Sequence, residues 1–272
     1  MSREVLIVCS VGDEAGEVLR WASAEGPIYD LAIASYGNGE CPVKPYAKFF
    51  ISQQGYKCAN YAGLYLAYPE LVNYDYTLFI DDDIVIEEKD IKLLVETARL
   101  KRLDLCQPAL GRDSDISWPH LKQKSWPQVE LTRFIEVQCF LVSKQLMRRV
   151  LPLFFMAKTG LYLDVAISYT AHKERMRAAV VHSVVMRHPF RANKQSVRRQ
   201  QNYNQQHKEL GPLVDFYCNS HYLPTLQTMW FTSRAFELCN GALMTLVSCV
   251  YFGARVPSML CAGVRRAVLK TK

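Results

Sequence analysis

The sequence predicts an α/β fold in which a largely parallel sheet is covered by helices. Three observations lead there. Short apolar runs alternate with helix-length segments through the first 105 residues, the order expected of βα units. The runs that read as strands are apolar at nearly every position, as strands buried on both faces are. A chain of 272 residues, 50% hydrophobic and 22% charged, also carries enough apolar surface for one large domain with an appendage.

The elements follow in order. Val5-Leu6-Ile7-Val8-Cys9-Ser10 reads as a buried strand ending in small residues and Gly12, and residues 15–24 as the helix after it. Residues 29–35 form a second strand, closed by Tyr36-Gly37-Asn38-Gly39. Residues 49–56 are mixed, and residues 60–68 are helical until Pro69 breaks the pattern. Tyr76-Thr77-Leu78-Phe79-Ile80 is the clearest strand of the chain and runs directly into Asp81-Asp82-Asp83. Residues 87–101 form an amphipathic helix with Ile91, Leu94, Val95 and Ala98 on one face.

Further along, residues 106–130 hold Pro108, Gly111, Pro119 and Pro127 and read as loop. Residues 134–142 are strand-like, 144–155 a basic amphipathic helix, 161–172 a helix with Asp164 near its start, and 178–185 a strand ending near His188. The very polar residues 196–207 read as a mobile or partner-dependent segment. From position 225 the chain becomes apolar, helix-prone and cationic. The expected organisation is a catalytic domain over residues 1–222 and an amphipathic helical segment over 223–272.

Composition narrows the function classes. Thirteen Gly and twelve Pro without a period exclude collagen-like and low-complexity chains. The formal charge of +7 favours an anionic partner. Arg198-Arg199 lack the interleaved aromatics that stack bases, so no nucleic-acid partner is expected. The nine cysteines are odd in number, never spaced as C-x-x-C, and mostly set in apolar runs, which reads as buried reduced thiols in the cytoplasm. No secretory core opens the chain and no run reaches the roughly 20 apolar residues of a spanning helix. After Glu237 the tail carries Arg255, Arg265, Arg266, Lys270 and Lys272 and no acid. It suits either an anionic membrane surface or a helical protein interface, so the expected location is cytoplasmic with peripheral attachment to the inner membrane face.

Asp81-Asp82-Asp83 is the main chemical signal. Three carboxylates at the end of a buried strand raise one another's pKa unless a cation is present. Strand ends in open α/β sheets are also where ligands bind. Hard divalent cations such as Mg²⁺ and Mn²⁺ take one or two carboxylates together with phosphate oxygens. In an extended segment Asp81 and Asp83 share one side and Asp82 faces away. The alternative is a solvated acidic turn capping the next helix. No P-loop, nucleophile elbow or H-E-x-x-H occurs, and His172 and His207 have nothing around them that marks ligands.

Phe79-Ile80-Asp81-Asp82-Asp83 after the Val5–Val8 run resembles the D-x-D region of GT-A-fold glycosyltransferases. A closer resemblance, over about residues 5–190, is to a poorly characterised GT-A-type group formerly described only as a domain of unknown function. Its further landmarks are Gln107-Pro108-Ala109-Leu110, Glu136 in an aromatic-rich strand, Leu163-Asp164 and His188. The resemblance implies a GT-A-like, Rossmann-related mixed sheet flanked by helices, with the helical C-terminal appendage. It implies transfer of a sugar from a nucleotide-sugar, UDP-linked by preference, to a carbohydrate or lipid-linked glycan in surface glycan biosynthesis.

Residue by residue, it implies that Asp83 and His188 hold Mn²⁺ or Mg²⁺, with Asp81 as a metal-side or ribose-side carboxylate and Asp82 beside it at the cofactor. Lys57 and Asn60 would face base and ribose, and Arg187 or Lys194 the diphosphate. Asp164 matches the general base of inverting enzymes, and the alternative for it is a residue favoured by a helix N-terminus. Glu136 is the rival base. Its bland readings are a salt bridge to Arg133 or Lys144, or an exposed strand edge. His182 departs from the group, which has an acid there. Ser10, Gly12 and Asp13 either line the nucleotide pocket or form an ordinary turn. Trp118, His120 and Trp126 either stack an acceptor sugar or pack. Two other functions stay open, a metal-dependent nucleotidyl- or phosphotransferase and a non-catalytic, membrane-associated carbohydrate-binding scaffold.

Overall fold

A computed structural model describes residues 4–189 except 14, 25–26, 116–117, 158–159 and 161–162. These fall in the first of the two units into which the chain divides, Met1–Leu223. Lys194, Arg198, Arg199, His207 and the segment 223–272 lie outside the described residues.

The elements are β1 (Val5–Val11), α1 (Gly16–Ala22), β2 (Tyr29–Ser35), β3 (Phe49–Ser52), α2 (Lys57–Ala67), β4 (Tyr76–Asp81) and α3 (Glu88–Lys101). Then come β5 (Leu105–Leu110), β6 (Val129–Leu131), β7 (Cys139–Ser143), α4 (Lys144–Met156), α5 (Leu163–Lys173) and β8 (Ala178–Met186). The strands form one sheet in the order β3-β2-β1-β4-β7-β5-β8-β6. The first four of that order are parallel. β7 runs against β4 and β5, β8 runs parallel to β5, and β6 runs against β8. The expected α/β class, with a mixed sheet flanked by helices, is therefore the one observed.

β1 and β2 are buried at every position, as parallel strands covered on both faces must be. One face packs beneath α2, α4 and α5, where Phe79 stacks on Phe140 at 4.9 Å and on Phe154 at 5.0 Å. Tyr61 meets Phe79 at 5.1 Å in the same cluster. α3 buries Ile91, Leu94, Val95 and Ala98, the face its sequence period marks. It closes at Arg102, which takes the left-handed conformation (φ 51°), with capping amide bonds to Ala98 and Arg99.

Two expectations fail. Residues 105–110 are not loop but β5, buried at all six positions. Pro108 is accommodated because the β5–β8 register shifts between Pro108 and Ala109, where the ladder is already interrupted. Residues 134–138 are not strand. The ladder begins only at Cys139, which leaves Glu136 in an irregular stretch leading to the C-terminal end of β4.

Among the described residues no helix is long and apolar enough to cross a membrane. The described cysteines, Cys9, Cys41, Cys58, Cys106 and Cys139, are buried and unpaired.

Candidate functional site

β1, β2, β4, β5 and β8 all point their C-terminal ends the same way, and the start of β7 joins them. Side chains from residues 10, 57, 81–83, 136, 164 and 188 gather at that end.

Asp81, Asp82 and Asp83 leave the strand in three directions. Asp81 takes two hydrogen bonds from Lys57 Nζ, at 2.7 and 3.0 Å, and Lys57 also donates to the carbonyl of Val137 at 2.8 Å. Lys57 opens α2, so the helix start delivers a cation to the strand end. Burial, the largest single effect, weighs against its ammonium, but the charge and hydrogen bond of Asp81 together with Cys58 and Asp83 outweigh it and hold Lys57 above its ordinary value. Asp82 turns to the opposite loop, accepting from the Gly12 amide at 3.0 Å and the Tyr36 hydroxyl at 2.7 Å. A methyl group at Gly12 would stand 2.9 Å from the Tyr36 oxygen, so this close approach requires glycine.

Asp83 Oδ2 lies 3.1 Å from His188 Nε2. That carboxylate raises the His188 pKa against the opposing effect of burial. The meeting is built by the main chain. Val85 and Arg187 exchange both amide–carbonyl bonds at 2.9 Å, and Ser114 Oγ accepts from the His188 amide at 3.2 Å. Arg187 itself pairs with Asp113 at 3.2 Å.

Asn60 is fully buried and donates to Ser10 Oγ at 2.8 Å, and the β1–β4 register sets Ser10 beside Asp81. The Asn60 Oδ1, Glu136 Oε2, Gln138 Oε1 and His188 Nδ1 atoms are buried and have no hydrogen-bond partner among the described residues. Nine such atoms occur among the described residues, on Trp21, Tyr65, Glu88 and His120 as well, and the four here cluster around one strand end, where a polar ligand could partner them.

Glu136 makes neither the Arg133 nor the Lys144 salt bridge among the described residues, and at 9% exposure it is not at a solvated edge. Burial pushes its carboxyl up to about 8, with the Asp164 charge adding and His188 and Lys57 opposing. Its amide is held by Gln107 Oε1 at 2.6 Å. Asp164, at the start of α5, accepts from the Val165 amide at 2.8 Å. Burial raises it to about 6, and that amide and Lys57 limit the rise.

Among the described residues no group of three His, Cys, Asp or Glu gathers as a ready metal cage. Asp83 and His188, a hydrogen-bonded pair as they stand, are spaced so that one divalent ion could take a donor from each. Adjacent ligands of an octahedral ion with bonds near 2.1 Å stand about 3 Å apart, which is their separation. The remaining positions would fall to water and to phosphate oxygens.

No family model matches the chain, and no curated protein does. Among solved structures, the crystal structure of S. aureus TarS aligns with TM-score 0.48 and 8% identity, over 69% of this chain and 37% of that one. The crystal structure of S. aureus TarS 1-349 aligns with TM-score 0.48 and 10% identity, over 67% of this chain and 59% of that one. The chain thus spans less than two thirds of either protein.

The other sequence candidates separate. Trp118, His120 and Phe134 pack on each other, with ring centroids 4.5 to 6.2 Å apart. His182 is buried against Glu130 at 3.0 Å, in the middle of β8 and away from the strand ends. Asp13 accepts from the Gly39 amide at 3.0 Å, tying the first two strand loops together. Tyr36 and Gln138 were not singled out as site residues by the sequence, and Gln107 only as part of a landmark of the resemblance. Tyr36 follows β2, which lies two strands from β4, so the strand order brings it to Asp82. Gln107 sits in a strand that its proline disguised.

Proposed function

We propose that this protein is a metal-dependent glycosyltransferase. It would move a sugar from a nucleotide-sugar, UDP-linked by preference, to a carbohydrate or glycolipid hydroxyl with inversion. The observation that carries the reading is the Asp83–His188 pair at a sheet end that also presents Asp164 and unpartnered buried polar atoms.

Asp83 and His188 would hold Mn²⁺ or Mg²⁺, which when bound offsets charge on the departing diphosphate. Burial raises the Asp81 carboxyl, Lys57 opposes that rise and fixes Asp81 at the centre, and Arg187 adds a cation at the rim. Ser10, Asn60 and Gly12 give the pocket its polar wall. In a single displacement the acceptor oxygen bonds to the anomeric carbon as the bond from that carbon to the diphosphate oxygen breaks. The hydroxyl proton passes to a carboxylate. Asp164, at about 6, is ionised at neutral pH and able to accept it. Glu136, at about 8, already carries a proton there, so it suits hydrogen-bonding a substrate oxygen better than taking a proton.

The acid-free cationic tail supports a lipid-linked acceptor at the inner membrane face, in assembly of a surface glycan. Product analysis tests the whole reading. Wild-type protein with Mn²⁺ and a panel of UDP-sugars should release UDP and lengthen a saccharide acceptor, and Asp164→Asn should do neither. Release of pyrophosphate or transfer of a nucleotidyl group would instead identify a nucleotidyl- or phosphotransferase.

A further inference from the structure

A groove of about 520 Å³ lies at the far edge of the sheet, lined by Lys101, Trp126, Gln128, Val129, Leu131 and Arg177 among others. Arg177 immediately precedes β8 and His188 follows its end. The β5–β8 ladder pairs Leu105 with Ala178 and Leu110 with Met186, so β8 advances only about five strand steps between them, and Arg177 lies roughly 25 Å from His188, at the opposite end of β8 from the site described above.

Its surface is unusual for a protein rim. Trp126 is 81% exposed and Leu131 64% exposed, and both line this one depression. The lining holds two cations, an amide and a hydroxyl, and no carboxylate. Glu130, between two lining residues, turns its carboxylate away to Lys124 and His182. Burial opposes that charge, but the His182 hydrogen bond dominates and holds Glu130 down at about 2. The lining therefore carries net positive charge, with the Asp104 carboxylate beside it accepting from the Arg177 amide at 3.0 Å.

We propose that this groove is a secondary binding site for an acidic saccharide chain. An exposed indole face offers its negative quadrupole to the C–H face of a pyranose ring. Gln128 and Ser125 supply neutral hydrogen-bonding groups at the same wall, and Lys101 and Arg177 match carboxylate or phosphate substituents. An extended acidic peptide fits less well. β6 is an edge strand of three residues, and its bonds to β8 run through the flanking Gln128 carbonyl and Thr132 amide. The antiparallel alternation leaves only Val129 and Leu131 with main-chain groups facing outwards, too few to register a second strand. A second copy of the chain would set Lys101 and Arg177 against their own like charges. The role assigned to the groove, holding the acceptor chain remote from the reacting end, rests on the glycosyltransferase reading. The binding itself does not.

Affinity electrophoresis of the full chain tests the proposal, with polygalacturonate, neutral dextran or polyglutamate cast in the gel. Polygalacturonate should retard the wild type most. Trp126→Ala should weaken that binding about tenfold, Trp126→Phe should restore most of it, and Lys101→Gln/Arg177→Gln should abolish it. Trp126 is exposed, so its loss leaves the fold intact, and equal melting temperatures check this. Equal retardation by polyglutamate would identify a peptide or bare charge site, and retardation indifferent to Trp126→Ala, or none, would overturn the proposal. The same variants are scored for stabilisation by UDP-sugars with Mn²⁺. Glycan binding without any such stabilisation in wild type would sink the catalytic reading and leave the groove standing.

Discussion

Asp83 and His188 are 105 positions apart in the chain, yet their Oδ2 and Nε2 atoms lie 3.1 Å from each other. The pair of main-chain bonds between Val85 and Arg187 makes the meeting, by tying the loop after β4 to the end of β8. A pair of side chains set by backbone is pre-organised, because neither must search for the other.

The two buried carboxyls predict a division of labour. Asp164→Asn should lower kcat by about 10²- to 10⁴-fold, the usual worth of a positioned base. Glu136→Gln preserves the neutral shape and should keep most of the rate. The rate should rise with pH through about 6 as Asp164 loses its proton. Steady-state rates from pH 5 to 9 check both statements, and the reverse ranking of the two variants would make Glu136 the base.

Stability should also depend on pH through Glu136. Its folded value is about 8 against an ordinary 4.5, so the native state keeps a proton that the unfolded chain has released between those limits. That contribution is fully present below about 4.5 and is lost as pH rises through 8, roughly 5 kcal/mol in all. Asp164 adds a similar fall that ends near pH 6. Between pH 6 and 8 Glu136 and His188, whose pKa is also raised, both contribute to the decline, and Glu136→Gln should lessen its slope in urea titrations. An unchanged slope would mean that the carboxyl is already ionised at neutral pH.

Lys57 should matter to folding as well as to ligand binding. Lys57→Met removes the partner of a partly buried Asp81 and of the Val137 carbonyl. The expected loss is about 1–3 kcal/mol, lessened in the Lys57→Met/Asp81→Asn double variant because no unpaired charge remains. A cycle by chemical denaturation measures the coupling, and strict additivity would deny it.

Gly12→Ala should destabilise by about 1–3 kcal/mol, because the new methyl meets Tyr36 and forces it from Asp82. Tyr36→Phe, which only deletes the hydroxyl bond, should cost less. Equal melting temperatures for Gly12→Ala and wild type would show that the loop yields freely.

Much of the fold is legible in the sequence, and the reasons for the exceptions are physical. The run 76–80 and the helix 87–101 are each marked by a period that burial alone enforces, and both stand where expected. β5 escaped because Pro108 reads as a breaker, and only the partner strand's irregularity makes it tolerable. Glu136 looked like a strand residue because apolar neighbours surround it. Those neighbours, Phe134, Ile135 and Val137, are buried without being laddered into the sheet. Within the site, the acid run announces itself, whereas the division of Asp81, Asp82 and Asp83 among Lys57, Tyr36 and His188 depends on strand order. No local pattern encodes that order.

The most direct test is thermal stabilisation of wild type and Asp83→Ala by UDP-sugars, with and without Mn²⁺. A ligand at a hundredfold excess over its Kd stabilises the native state by about 2.7 kcal/mol. The account predicts that shift for wild type with Mn²⁺, little without it, and none for Asp83→Ala at any Mn²⁺ concentration. A shift of equal size in Asp83→Ala, or one indifferent to Mn²⁺, would contradict it.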